Sequence, residues 1–183
     1  MPKEVLQPIQ VRPATPADAR MIARVSIASW RATYRGLISE DYLQNLSYRR
    51  RRDNWLERLS QQDGSFFAYV AVNSAGKIVG FASGGRERAG DPDYQGELYA
   101  LYLLPSVQRQ GLGRQLLLAV ARHLLRQGIT TMLIWALAEN PARRFYEAMG
   151  GTYVREQPIQ IGAELLREVA YGWGEHWFHN NLE

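Results

Sequence analysis

The most informative segment of this sequence is Gln108-Arg109-Gln110-Gly111-Leu112-Gly113. An apolar run, residues 96–104, precedes it, and leucines recur at helical spacing after it as far as Gly128. This pattern predicts a central strand, a tight turn and a half-buried helix. Glycines at a helix start let a ligand approach the backbone, and the unpaired amides and the macrodipole favour an anion. The segment therefore predicts a phosphate or pyrophosphate site.

Two nucleotide-binding motifs fit this segment less well. It lacks the Lys followed by Ser or Thr that ends a P-loop, and it has two glycines where a dinucleotide fingerprint has three. A short pattern with two glycines is by itself weak evidence for any one phosphate ligand. A second motif is needed to identify the ligand.

A second strand–turn–helix unit follows the first. Residues 131–137 are apolar and favour a strand. The next segment, residues 139–151, has Asn140 before a predicted helix, Tyr146 inside it and a glycine pair at its end. The two units stand in a fixed order, each in a strand–turn–helix context, which is much stronger evidence than either alone.

Together these units resemble the acetyl-CoA-binding motifs of the GNAT superfamily, the Gcn5-related N-acetyltransferases. The first has the family's Gln-x-x-Gly-x-Gly loop, and the second is similar to its Asn-x-x-Ala-x-x-x-Tyr-x-x-x-Gly-Phe pattern. Ala142 falls one place early, and Gly151 replaces the usual aromatic residue, with Tyr153 two places later. The resemblance covers nearly the whole chain. It implies an α/β (α+β) GNAT fold, with a mixed, mostly antiparallel sheet and helices on both faces, in a single domain over residues 1–183 with a core at about 8–172.

The resemblance also implies a reaction, the direct transfer of the acetyl group of acetyl-CoA to a primary amine of a small molecule or a protein. The absence of cysteine agrees, because it excludes a cysteinyl intermediate. A catalytically silent acyl-CoA-binding sensor of the same fold is the alternative. The residues implied to hold the cofactor are Leu101, Leu103, Gln108, Arg109, Gln110, Gly111, Leu112, Gly113, Arg114, Asn140 and Arg143.

Acetyl transfer needs a neutral amine and help for the leaving thiolate. An amine with a pKa of about 10.4 is neutral in roughly one molecule in two thousand at pH 7, a deficit of about 4.6 kcal/mol. The resemblance implies that Glu97, eleven residues before Gln108, is the general base and that Tyr146 is the general acid near the cofactor sulfur. Strand alternation predicts that one face of the central strand carries Glu97, Tyr99, Leu101 and Leu103.

The acceptor stays open at this point, because small amines, polyamines, aminoglycosides, amino acids and protein amines all occur as substrates in this superfamily. We expect the acceptor pocket between residues 30–42, the loop 84–95 and the last hairpin, with Trp30, Tyr34 and Tyr99 in it. Four acidic residues in those segments suit a cationic amine but are also ordinary loop residues: Glu40, Asp41, Asp91 and Asp93.

The chain has 183 residues, 46% of them hydrophobic, and a formal net charge of +4. That length and composition suit one compact domain. Residues 1–4 lack the features of a signal peptide, and no apolar stretch approaches the ~20 residues of a membrane span. We therefore expect a cytoplasmic protein without membrane association.

Part of the charge comes from Arg49-Arg50-Arg51-Arg52, inside a stretch that predicts one helix from Glu40 to Leu59. Four successive arginines spread around most of a helical turn. This arrangement favours a solvated surface, with Asp53 and Glu57 as local partners, over a nucleic-acid contact. Nucleic acid is not an expected partner.

The remaining segments predict the other elements. Thr15 and Pro16 begin a helix that runs to about Tyr34. His176 and His179 lie three residues apart with no third ligand nearby, so we expect no metal. The aromatic tail predicts a packing segment, with a homodimer contact as a further use. The predicted strands are 9–12, 66–72, 78–83, 152–161 and 164–172. Residues 84–95 are a predicted loop. The aromatic tail consists of Trp173, Trp177 and Phe178.

Overall fold

The computed structural model describes residues 9–61 and 63–182. Residues 1–8, which include the segment judged for a signal peptide and the first residue of the predicted core, lie outside the described residues, as does Glu183. The strands are β1 (Gln10–Pro13), β2 (Phe66–Val72), β3 (Ile78–Arg86), β4 (Gly96–Leu103), β5 (Met132–Leu137), β6 (Thr152–Ile161) and β7 (Glu164–Trp173). The helices are α1 (Ala19–Thr33), α2 (Glu40–Gln44), α3 (Tyr48–Ser60), α4 (Leu112–Arg126), α5 (Arg143–Ala148) and α6 (Glu175–Leu182).

The strands form one sheet in the order β1-β2-β3-β4-β5-β7-β6. Every neighbouring pair is antiparallel except β4 and β5, which are parallel. One face packs against α4, where Leu116 and Val120 join the largest core cluster. The other face packs against α1, where Ile22 and Val25 contact Phe81 of β3. The predicted mixed, mostly antiparallel sheet with helices on both faces is confirmed.

The two parallel strands separate soon after they begin. β4 and β5 pair only at Gly96 with Met132 and at Glu97 with Leu133. β4 continues to Leu103 and β5 to Leu137 without further pairing. The centre of the sheet therefore opens on the side where both strands end. Sequence patterns do not reveal this separation.

β4 also carries a β-bulge at Tyr99. Ala100 pairs with Ser83 of β3 and Leu98 pairs with Gly84, so Tyr99 has no opposing residue in β3. An extra residue in one strand bends that strand and interrupts the alternation of its side chains.

The bulge overturns the predicted alternation along β4. Leu98, before the bulge, and Leu101, after it, both pack on the face that α4 covers. Tyr102 packs on the α1 face. Glu97 precedes Leu98 and lies on the α1 face as well. The prediction that one face carries Glu97, Tyr99, Leu101 and Leu103 is therefore wrong.

The single helix predicted from Glu40 to Leu59 is two helices. α2 ends at Gln44, and Asn45 turns its side chain back onto Asp41. The Ser47 hydroxyl then accepts from the Arg50 amide and caps α3. Short polar side chains that bond to their own backbone favour such breaks.

Two other boundaries differ from the sequence prediction. β3 continues through Arg86, so the loop before β4 begins at residue 87 and not at residue 84. Within the aromatic tail, Trp173 ends β7, whereas Trp177 and Phe178 belong to α6, and Phe178 is buried within this same chain. The predicted packing role of the tail is confirmed, and the homodimer contact stays a prediction. No helix in the described ranges is both long and apolar enough to cross a bilayer.

Candidate active site

A glycine-capped turn lies at the start of α4, where the sequence predicts an anion site, and we call it the anion corner. Gly111 caps the helix with a φ of 80°, in the left-handed region that glycine adopts readily. Arg109 has a φ of 62°, which is uncommon for a residue with a side chain. The amides from Leu112 to Arg114 have no acceptor within the helix and can bond an anion.

Two glutamines brace this corner. The Gln108 side chain donates to the Leu103 carbonyl at 3.2 Å, and the Gln110 side chain donates to the Ser106 carbonyl at 3.4 Å. Their amide groups thus fix the loop that joins β4 to α4. In this structure both side chains shape the corner, and their direct contact with a cofactor stays a prediction.

The glycines leave the corner open to a ligand. No heavy atom lies within 4 Å of a Cβ built at Gly111. A Cβ at Gly113 would lie 3.2 Å from the Phe145 ring and 3.8 Å from a Leu103 methyl carbon. A side chain there would crowd these groups. Exposed backbone donors beside free space fit the pyrophosphate that the sequence resemblance implies.

Tyr146 of α5 is buried among aromatic side chains. It is 4% exposed, and its ring packs edge-on against Phe145 and Trp173. Its phenol interacts electrostatically with Tyr34 and with Tyr102. Burial, and then the neighbouring Tyr34, raise the pKa of Tyr146. The phenol therefore stays protonated at neutral pH and can donate a hydrogen bond.

Asn140 and Arg143 hold the turn between β5 and α5. The buried Asn140 accepts from the Ala142 amide at 2.9 Å. Arg143 donates to the Tyr171 hydroxyl at 3.0 Å and also to the Ala138 carbonyl. These contacts give both residues a structural role, and their cofactor contacts stay predictions.

Glu97 is buried on the α1 face of the sheet and held by one arginine. It is 2% exposed. The Arg88 side chain donates to Oε2 at 3.0 Å and also to Oε1, and the Arg88 amide donates to Oε2 at 3.3 Å. Oε2 thus accepts two bonds and Oε1 one. Since a carboxylate oxygen can accept two, Oε1 keeps one position for water or for an ammonium group.

Two of the three residues predicted for the acceptor pocket lie together. Trp30 packs edge-on against Tyr34 with 4.9 Å between ring centroids. The hydroxyl groups of Tyr34 and Tyr102 are 2.9 Å apart. Burial raises the pKa of both phenols. Sequence reasoning missed Tyr102, because only the bulge turns this residue toward α1.

Tyr99 lies elsewhere on the same face. Its ring stacks on Phe66, and the guanidinium groups of Arg58 and Arg88 lie over it. Its hydroxyl donates to the Arg86 carbonyl at 2.6 Å. Tyr99 therefore neighbours the Glu97 clamp, while Trp30 and Tyr34 lie beside Tyr102.

The other predicted walls of the pocket do meet. The Glu164 carboxylate accepts from the Ser39 amide at 2.9 Å. A Cβ at Gly162, at the hairpin tip, would lie 2.7 Å from the Tyr42 ring. A cavity of about 340 Å³ opens between these walls and the end of β5. Its lining residues are Leu37, Leu137, Ala138, Glu139, Arg143, Leu165, Leu166 and Arg167.

Of the four predicted acidic residues, Asp91 has a firm structural partner. Asp91 forms an ion pair with Arg155 at 2.5 Å, which ties the loop before β4 to β6. The Tyr94 ring in the same loop lies on Gly172, so closely that a Cβ there would overlap the ring. These two contacts anchor the loop to β6 and to β7.

Arg51 does not follow the solvated pattern predicted for the arginine run. It donates to the buried Ser26 hydroxyl at 2.6 Å, and its guanidinium lies 4.6 Å from the Trp30 ring centroid. Arg49 and Arg52 pair with Asp53 as expected. Glu57 makes no ion pair in the described part of the chain.

Glu168 is a second carboxylate that sequence reasoning missed. It lies on β7 and is partly buried. Its carboxylate accepts a hydrogen bond at 2.8 Å from the Gln157 side chain on the neighbouring strand β6. Burial, and then the charge of Glu97, raise the pKa of Glu168. It forms no ion pair with any residue in the described ranges. Its place in an alternating strand was the available signal, but many solvent-facing residues share that pattern.

Within residues 9–61 and 63–182 no group of three or more metal-ligating side chains comes together. His176 instead interacts with Asn180 at 2.9 Å. The expectation that no metal binds stays a prediction.

Comparisons with known proteins identify relatives over most of the chain. The family model for FR47-like proteins matches residues 88–158, which include the Glu97 strand and Tyr146. An uncharacterized N-acetyltransferase, YuaI of Bacillus subtilis (strain 168), is 40% identical over 165 residues, covering 90% of this chain and 92% of the relative.

Other similarities are partial or limited to the fold. A mycothiol acetyltransferase of Acidothermus cellulolyticus is 31% identical over 108 residues, which is 33% of that protein and 56% of this chain. PaiA N-acetyltransferase of Thermoplasma acidophilum, solved with coenzyme A, superposes with a TM-score of 0.75 at 21% identity, over 92% of this chain and 99% of its own. YncA of Salmonella typhimurium, solved with its cofactor acetyl-CoA, superposes with a TM-score of 0.68 at 22% identity, over 92% of this chain and 95% of its own.

Proposed function

The chain belongs to the GNAT superfamily of N-acetyltransferases, and we propose that it transfers the acetyl group of acetyl-CoA directly to a primary amine. The observation that carries this proposal is the separation of β4 from β5 between the anion corner and Tyr146. Such a gap admits the extended arm of acetyl-CoA, with the pyrophosphate of the cofactor at the start of α4. We treat residues 1–183 as one catalytic domain of a cytoplasmic protein.

The cofactor-binding residues in this proposal are those of the corner and the strand beside it. Backbone amides at Gly111, Leu112, Gly113 and Arg114 bind the pyrophosphate, and the Arg109 and Arg114 side chains add positive charge. Main-chain groups of Leu101 and Leu103 bond the arm in place of the missing β5 partner. Acetyl-CoA, when bound, supplies an activated acetyl thioester.

Glu97 is the proposed proton acceptor. Its free Oε1 position can take the proton of the acceptor's ammonium group directly or through one water molecule. Arg88 holds the carboxylate in one orientation, which keeps this position directed at the acceptor side. Loss of the proton leaves a nitrogen lone pair that forms the new bond to the acetyl carbon as the carbon–sulfur bond breaks. The surplus proton on the acylated nitrogen then passes to the departing thiolate, directly or through water, which gives the amide and free CoA.

Tyr146 is the proposed hydrogen-bond donor to the departing thiolate. A phenol is a weaker acid than a thiol, by about 1.5 pKa units in water, and burial raises the pKa of Tyr146. Full proton transfer from Tyr146 is therefore unfavourable. A hydrogen bond that strengthens as negative charge develops on sulfur stabilises the transition state instead.

The test is turnover with a panel of amines. Purified protein, acetyl-CoA and each amine are incubated, and free CoA and the mass gain of one acetyl group on the amine are measured together. We expect both products in equal amounts for at least one amine. Binding of acetyl-CoA without consumption in the presence of every amine would contradict the proposal and favour the sensor of the same fold.

A further inference from the structure

Arg51 is a partly buried positive charge on the acceptor side of the sheet. Its Nη1 donates to Ser26, which is 2% exposed, and its guanidinium stacks over Trp30. Among the described residues, no Asp or Glu lies within ion-pair distance of it. A charge removed from water is costly unless it is paired, so buried arginines usually have an anionic partner.

The groups that surround Arg51 are phenols. It interacts electrostatically with Tyr102, Tyr42 and Tyr34, and burial lowers its pKa. These hydroxyls and the guanidinium are all hydrogen-bond donors, and none of them carries a negative charge at neutral pH. A guanidinium group with phenol groups nearby is well suited to bind a carboxylate.

An opposite charge acts on Tyr34 as well. The Glu168 carboxylate of β7 raises the pKa of the Tyr34 phenol, whereas the Arg51 guanidinium lowers it. Like Arg51, it has no ion-pair partner in the described part of the chain. The nearby charges of Arg88 and Glu97 neutralise each other, as do those of Arg155 and Asp91. Arg58, which lies over Phe66 and Tyr99, has no ion pair within the described ranges either, but Arg51 is the one of the two that contacts Trp30, which packs on Tyr34 in the predicted acceptor pocket.

We propose that the acceptor is a small zwitterion, an amino acid or a closely similar molecule, whose carboxylate binds Arg51 and whose ammonium group lies toward Glu97 and Glu168. This inference rests on the proposed function and adds the class of acceptor. Simple alkylamines and polyamines have no negative group to pair with Arg51 and are poorer acceptors. Arg51 is here a binding residue and takes no part in the bond changes.

The first experiment compares each amino acid with its own carboxamide, which keeps the side chain and the amine but has no carboxylate. We expect the parent enzyme to prefer the free acid by at least about tenfold in kcat/KM. Arg51→Gln should remove this preference, chiefly by raising KM for the acid, and should leave KM for acetyl-CoA unchanged. Arg51→Lys keeps the charge but not the planar fork, so it should restore part of the preference.

Arg50→Gln is the matched control, because it removes the same charge from the adjacent exposed position. It should keep the preference of the parent. An equal preference for acid and carboxamide in the parent would overturn the proposal. The proposal would also be overturned if Arg51→Gln and Arg51→Lys had the same ratio of kcat/KM for free acid to kcat/KM for carboxamide as the parent. Arg51 would then have only a packing role against Trp30.

A binding measurement keeps this inference separate from the catalytic one. N-acetylglycine, a product-like probe with a carboxylate, should raise the melting temperature of the parent and of Arg50→Gln, but not of Arg51→Gln. Acetylation of other amines without any such shift would refute the carboxylate site and leave the proposed function intact. A shift that depends on Arg51 without turnover of any amine would support the site and refute the catalytic proposal.

Discussion

Arg88 donates hydrogen bonds to both carboxylate oxygens of Glu97, a residue that is 2% exposed. The two partners differ in their contact with water, since the Arg88 side chain is 58% exposed and that of Glu97 is 3% exposed. Removal of Arg88 and removal of Glu97 therefore have different consequences for the side chain that is left without its partner. An unpaired Arg88 can be hydrated, whereas an unpaired Glu97 carboxylate stays buried.

We accordingly predict that Arg88→Ala destabilises the protein more than Glu97→Gln does. Removal of the partner of a buried charge costs on the order of 3 kcal/mol, whereas the side-chain amide introduced by Glu97→Gln can still accept a hydrogen bond from Arg88. Urea unfolding of the two variants and the parent measures the difference. Equal loss of unfolding free energy in both would show that the Glu97 carboxylate reaches water.

The second prediction concerns the anion corner. Acetyl-CoA at about 100 times its dissociation constant should stabilise the parent by about 2.7 kcal/mol. Gly113→Val should remove most of this stabilisation, because the side chain crowds Phe145 and covers the helix amides. Gly174→Val is the control, since no heavy atom lies within 4 Å of a Cβ there. The same ligand-induced shift in Gly113→Val and the parent would exclude the corner as the binding site.

The third prediction tests the phenol of Tyr146. Tyr146→Phe keeps the ring contacts with Phe145 and Trp173 but removes the hydroxyl. Turnover should fall by about 100-fold with little change in acetyl-CoA affinity, because the hydrogen bond strengthens mainly in the transition state. Tyr153→Phe, at a 55% exposed position, should match the parent. Undiminished kcat in Tyr146→Phe would leave the residue with a packing role only.

The anion corner and its two flanking elements were predictable because local chemistry determines them. Gly111 takes a positive φ that disfavours most side chains, and the hydrophobic period changes from strand to helix across it. The break between α2 and α3 had a signal too, in the capping side chains of Asn45 and Ser47. There the apolar pattern continued through the break and concealed it.

The face of β4 that carries the site was not predictable. The bulge at Tyr99 depends on how β3 pairs with β4, and no residue type in either strand requires it. Arg51 was equally hidden, because four successive arginines are alike in sequence. The packing of α3 on α1 decides which of them meets Ser26 and Trp30. Contacts between residues far apart in the sequence therefore determine both the side-chain alternation along β4 and the partial burial of Arg51.

The fourth prediction is a loss of stability in acid that depends on His123. This ring stacks on Phe67 at 3.7 Å, and burial, then Arg126, lower its pKa from 6.5. The unfolded chain takes up the proton first as pH falls, so the stability contribution is complete above about pH 6.5 and declines below it. The melting temperature of the parent should therefore fall between about pH 7.5 and 5 more than that of His123→Phe.

His176→Gln is the control for this prediction, because His176 is exposed. Its acid dependence should equal that of the parent. If His123→Phe shows the same decline as the parent, other groups account for the acid sensitivity.

The last prediction separates a proton acceptor from a group that only attracts the substrate. If Glu97 takes the ammonium proton, Glu97→Gln should lower kcat/KM most at neutral pH, and the defect should shrink as pH approaches the pKa of the amine. Near that pH much of the amine is already neutral and needs no base. Glu168→Gln should instead raise KM, and added salt should reduce its effect. Parallel pH profiles for Glu97→Gln and the parent would remove Glu97 from proton transfer and leave an ordered water or the loop before β4 as the acceptor.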